Sequence, residues 1–266
     1  GRVQNQGMEI QLSHFNKIGE VNFRASGNFM FARNKVLFMD ETPWGEGHEY
    51  MNETGGPMGA GLQYRAIGIF RDQAALDSYP HLDAARPGDL IFEDVDGDGK
   101  ITSLDRVRQN LTGFPEIIFG LNLSADWKNF DISVLFQGQA RAVKDVISRM
   151  DATSNFYKWR AEDRWTEDNI DGTMPRAGGT INYGVENPCS FWTQNASFVR
   201  LKNLEIGYTL PNLWFNKLRI SNCRVYLSGQ NLFTLDHIKY VDPEGSGEGS
   251  YYPQMRIFNI GCNLTF

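Results

Sequence analysis

The chain has 266 residues, of which 41% are hydrophobic, and no run of apolar residues is long enough for a membrane-spanning helix. Aromatic residues reach 13% and there are 27 glycines, a mixture suited to β-structure with many turns. The net charge of −6, with both signs interspersed, gives no electrostatic footing for a nucleic-acid partner, and three scattered cysteines make no disulfide framework or zinc site.

In chain order, the dominant signal is alternation with period two. Met8, Ile10 and Leu12 alternate with polar neighbours, and Val21, Phe23, Ala25, Phe29 and Phe31 do the same. A weaker strand at Gln63–Phe70 is assigned to a loop excursion. Ile117–Trp127 sets Phe119, Leu121 and Leu123 against Gly120, Asn122 and Ser124. Phe130, Ile132, Val134 and Phe136 follow, then segments at Phe198–Leu210 and around Cys223, Val225 and Leu227. The last runs through Phe258, Ile260, Cys262 and Leu264 to Phe266. Successive side chains point to opposite faces of a strand, so each segment has an apolar and a polar face.

A soluble sandwich would pack such apolar faces together, whereas a transmembrane barrel would turn them to lipid. The segment lengths of nine to eleven residues fit a bilayer. Loop lengths point the same way. Short reversals (Phe15 to Gly19, Trp127 to Phe130, Pro211 to Ser221) alternate with long stretches at 32–116, 140–196 and 232–256, as in outer-membrane barrels. The prediction is an all-β, antiparallel transmembrane barrel wall with about seven spanning strands and those three stretches as extracellular loops. Seven strands do not close in lipid, so the first and last are expected to pair with further barrel strands. Trp127 and Phe130 read as an interfacial girdle. Arg24 and Arg224 fall on polar faces and should look into the lumen, since an outward arginine at midplane costs about 2–4 kcal/mol.

Several phrases carry a family resemblance: GRVQNQGME at Gly1–Glu9, PGDLIFEDVDGDGKITSLDR at Pro87–Arg106, and GFPEIIFGLNLSADWKNFDISVLFQ at Gly113–Gln137. ASFVRLKNLEIGYTLP at Ala196–Pro211, CRVYLSGQNLFT at Cys223–Thr234 and the closing Tyr252–Phe266 continue it. The chain resembles the C-terminal barrel portion of SusC/RagA-type TonB-dependent outer-membrane transporters. That resemblance implies one barrel domain over 1–266, part of a barrel of roughly 22 strands whose N-terminal plug lies outside this sequence. It also implies import of oligosaccharides or peptides, a SusD-like surface lipoprotein as partner, and energy delivered by TonB through the N-terminal part.

The sharpest local motif is Asp94-Val-Asp96-Gly-Asp98-Gly99-Lys100, closing at Asp105. Carboxylates at positions 1, 3, 5 and 12, a glycine at 6 and the Lys100 backbone carbonyl at 7 match a Ca2+ loop, with Asp105 in place of the usual Glu. A structural Ca2+ clamp is expected there; a metal-free Asp/Gly turn is the alternative. Trp159, Trp165 and Trp192 are candidates to stack on substrate, although aromatics in a long loop also build its own small core. The terminal Phe266, with apolar residues alternating back from it, reads as a barrel-assembly signal. Cys223 and Cys262 read as small hydrophobes. The four histidines show no ligand spacing, and no catalytic motif is present, so the chain is read as a transporter part and not an enzyme. The main rival is a secreted, calcium-stabilised β-sandwich that binds carbohydrate; a complete small barrel is a third option.

Overall fold

The computed structural model describes residues 1–146, 158–178, 187–211, 220–239, 241–245 and 254–266. Seven long strands form one antiparallel sheet: β1 (Arg2–Ile18), β2 (Val21–Phe38), β7 (Ile117–Trp127), β8 (Phe130–Ala140), β11 (Phe198–Thr209), β12 (Asn222–Asp236) and β13 (Ile257–Thr265). They pair in that order, each with the next along the chain, a pure meander. The long connections hold the remaining strands as three separate pairs: β3 (Leu62–Tyr64) with β6 (Arg106–Arg108), β4 (Ala66–Ile69) with β5 (Leu90–Phe92), and β9 (Val143–Asp145) with β10 (Thr193–Asn195). The Gln63–Phe70 stretch thus falls in β3 and β4, outside the seven-stranded sheet.

Register makes the two faces explicit. Phe23, Ala125, Ile132, Ile206, Leu227 and Ile260 form one continuous row across six strands. One residue along β2, the row on the other face is Arg24, Ser124, Ser133, Glu205, Ser228 and Asn259. Nothing covers the apolar row among the described residues: Ile132 is 39% exposed, Leu227 60% and Ile260 76%. A sandwich would bury these side chains under a second sheet, so the sandwich reading fails at this point. Eleven-residue strands such as β7 have a contour of about 34 Å, which at a tilt near 45° covers about 24 Å, the height of a barrel's apolar band. The wall is therefore a lipid-facing sheet whose polar side lines an interior.

The turns at one end are tight. Gly19 (φ 63°) and Glu20 join β1 to β2, and Lys128 (φ 53°) and Asn129 join β7 to β8. The first reversal is thus shorter than the Phe15–Gly19 expected, because β1 keeps pairing to Ile18. The other end differs more. β1 starts at Arg2, β2 continues to Phe38 and β12 to Asp236. Tertiary pairing extends β2: Val36 exchanges backbone bonds with Gly55 and Gly56 and is fully buried. Alternation alone could not reveal this, since the partner lies in a loop.

The packed core sits in those loops. Tyr64, Ile69, Leu90, Phe92, Ile101, Val146, Cys189, Trp192 and Ile238 form one cluster drawn from all three long connections, with Tyr64 and Phe92 stacked at 4.7 Å. Burial holds the Cys189 thiol up at about 11.

Candidate functional site

The aspartate loop grows out of this core. Leu90 and Phe92 of β5 are buried, which fixes where the loop begins, and buried Ile101 pins its far side. Gly97 (φ 74°) and Gly99 (φ 80°) take the left-handed backbone that the sharp turn needs. Asp94 then accepts the Gly97 and Gly99 amides on its two oxygens, at 2.8 and 3.0 Å; Asp96 accepts that of Asp98, and Asp98 that of Lys100. The loop backbone thereby turns three carboxylates inward, with ligand oxygens within 4.8 Å of one another. Three negative charges this close repel unless a cation or protons join them.

Asp105 does not join the trio. It is fully buried, with Oδ1 accepting the Val95 amide at 2.8 Å and Oδ2 that of Thr102 at 2.7 Å. With Thr102 it forms the capping box of the 3-10 turn Ser103–Asp105. The closing residue thus ties the loop's ends through the backbone. Two neighbours came without sequence warning, from more than forty residues upstream. His48 Nε2 lies 3.3 Å from Asp96 Oδ2, and the Tyr50 hydroxyl donates to the Leu104 carbonyl at 2.7 Å. Burial, with Asp96 and Asp105 nearby, raises the Tyr50 phenol above its ordinary range. The oxygen-only donor set of the trio fits a hard cation.

A second feature lies where the loops meet the polar side of the wall. A cavity of about 620 Å³ is bordered by Gln63, Gln109, Gln139, Lys144, Asp145 and Thr193, among others. The Thr193 hydroxyl lies 2.6 Å from Asp145 Oδ1 and 2.9 Å from Gln63 Oε1, so much of the lining is already cross-linked by hydrogen bonds. Beside it, the buried Arg200 guanidinium donates to both oxygens of Asp242, to Glu244 and to Gln254, while Lys202 also holds Glu244. Lys144 reaches the Asp242 and Gly245 carbonyls; burial lowers its ammonium pKa although Asp242 opposes the shift. These bonds fasten residues 242–245 against the wall. Lower on the same face, Arg224 bridges Asp131 and Glu205, and Arg24 stands in the polar row, as expected for inward arginines.

The tryptophans separate. Trp192 is 2% exposed within the loop core and also borders the cavity. Trp165 packs on that core, its Nε1 donating to the Arg71 carbonyl at 3.1 Å. The side chain of Trp159 lies outside the described residues. Phe266 follows β13 directly and is exposed. Trp127, Phe130 and Tyr208 form a chain of ring contacts beside the tight turns.

Comparison with known proteins agrees with this geometry. No family model matches. Over its whole length the chain is 28% identical to "TonB-dependent receptor P26" of Formosa agariphila, covering 29% of that protein. It is 25% identical to "TonB-dependent receptor SusC" of Bacteroides thetaiotaomicron, covering 27% of it. Among solved structures, the RagAB peptide transporter superposes with a TM-score of 0.72 at 24% identity, covering 99% of this chain and 29% of that one. The chain thus spans under a third of the length of these relatives.

Proposed function

From the premise that this sheet is similar to the wall of TonB-dependent outer-membrane receptors, we propose that the chain is the C-terminal barrel wall and extracellular loop region of a nutrient importer. One observation carries the reading: the apolar row faces outward with no cover among the described residues, while the cavity opens on the polar side beneath a packed roof of loops. The importer works through TonB, contacted by the protein's N-terminal part, and through a plug inside the completed barrel. A SusD-like lipoprotein caps the loops from outside.

The substrate is an oligosaccharide. Side-chain amides of Gln63, Gln109 and Gln139, with Asp145 and Lys144, give the cavity paired donors and acceptors suited to sugar hydroxyls. A peptide is the second reading, favoured by the same amide-rich lining and by the peptide transporter among the structural neighbours. The aspartate loop is a structural Ca2+ clamp of the roof, held by Asp94, Asp96 and Asp98 with the Lys100 carbonyl, while Asp105 closes the loop behind them.

Uptake of a fluorescently labelled oligosaccharide by cells expressing the full-length protein tests the transport reading. Gln139→Trp should fill the cavity and reduce uptake at least tenfold, with the protein still assembled in the outer membrane. Unchanged uptake of both oligosaccharide and labelled peptide by that variant would sink the assignment of the cavity.

A further inference from the structure

The outward row of β2 changes character above the apolar band. Phe29 and Phe31 are followed on the same side by Arg33 and Lys35, which stand opposite Gln6 and Gln4 of β1. The inward positions between and beyond them are taken by the loops: Asn34 Oδ1 accepts the Met58 amide at 2.6 Å, and Val36 is fully buried. The roof therefore covers the inner side of this hairpin and leaves the outer side open.

On that open side two arginines share one carboxylate. Glu116, buried in the bend before β7, accepts Arg33 Nε on one oxygen at 2.8 Å and Arg141 Nε on the other at 2.5 Å. Burial alone would raise the Glu116 carboxyl, but the two guanidinium hydrogen bonds outweigh it and hold the group below its ordinary value. Arg141 follows β8 in a left-handed conformation (φ 59°), which takes it off the strand's line. Each arginine spends only Nε on the clamp. Their side chains stay 45% and 42% exposed, and among the described residues no acceptor lies on their terminal nitrogens. Lys35 is exposed and unpaired among the same residues. Phe114, two residues before Glu116, is 83% exposed.

Arg33 and Lys35 stand two and four residues of rise (about 3.3 Å each) above Phe31, and with Arg141 they set three cations against one carboxylate at headgroup height. Guanidinium groups oriented through Nε present their free edges for bidentate pairing with phosphate oxygens. An uncovered phenylalanine beside them suits an acyl chain. A soluble anion would gain nothing from that ring or from the adjoining apolar band. We propose that Arg33, Arg141 and Lys35 form a site on the outer wall for the phosphorylated headgroup of a membrane lipid, with Phe114 lying against its chains. The site rests on the outward orientation of the wall alone and is independent of what is transported.

Native mass spectrometry of the full-length protein in nanodiscs containing bis-phosphorylated lipid A, or the same acyl disaccharide without phosphates, tests it. The parent protein should retain the phosphorylated lipid at least tenfold over the dephosphorylated one. Arg33→Gln with Arg141→Gln should remove that preference, and Lys35→Gln, which breaks no side-chain pairing among the described residues, should weaken retention several-fold. Equal retention by parent and variants, equal retention of the dephosphorylated lipid, or displacement by millimolar inorganic phosphate would each overturn the site. Heat-modifiable gel mobility checks assembly of each variant; its absence in the parent would instead overturn the membrane-wall reading.

Discussion

The wall and the roof follow opposite rules. In the wall, long alternating strands leave their large apolar side chains uncovered, and Ile260 and Leu227 find their environment in lipid. In the roof, short strands and turns from three distant connections bury Trp192, Tyr64 and Phe92 against one another, as a water-soluble domain does. One chain thus passes repeatedly between two solvents. Its hydrophobic residues are spread as a row in one part and gathered as a cluster in the other.

Substitutions should separate the two regions. The largest effect belongs to Trp192→Ala, which removes a buried ring at a cost of about 3–5 kcal/mol. Limited proteolysis of the full-length protein should then cut the loops while heat-modifiable mobility shows the barrel intact. Ile206→Arg, in the middle of the outward row, should destabilise insertion by about 2–4 kcal/mol and shift a folding titration into vesicles, leaving loop protection in the assembled fraction unchanged. Asp94→Asn with Asp98→Asn should abolish calcium-dependent protection of the 94–105 loop; at calcium a hundred times the dissociation constant, the stabilisation lost is about 2.7 kcal/mol. A parent protein whose protection ignores chelators would remove the clamp. The smallest effect concerns Glu116. Its pKa is lowered in the folded state, so the arginine clamp contributes fully above the ordinary carboxylate pKa of about 4.3. That contribution fades as pH falls through the lower folded value. Acid unfolding of Glu116→Gln should therefore lack a component that the parent shows below about pH 4.3.

How much the sequence disclosed follows from the same contrast. A wall strand advertises itself because lipid on one side and lumen on the other impose strict alternation, so Phe119, Leu121 and Ile132 read correctly from the sequence as one apolar face. Strand ends were less legible. β2 outlasts its apolar band because Val36 pairs with Gly55 and Gly56, a contact with no local signature. The roof was hardest to read, since Tyr64 and Trp192 lie 128 positions apart and meet only by tertiary packing. The aspartate triad was legible from spacing, because its geometry is set within a dozen residues. His48 and Tyr50 were not, and the turning of Asp105 toward backbone amides reflects burial that spacing does not encode.

β2 runs unbroken from Val21 beside the Gly19–Glu20 turn to Phe38 within the roof. It is stepped like a mast through a deck, its foot beneath the bilayer and its head lashed among the loops by Val36 and Asn34. Any sway of the canopy must pull on this spar or bend it, so movement above reaches the lower rim through a continuous covalent rod without crossing a single non-bonded joint.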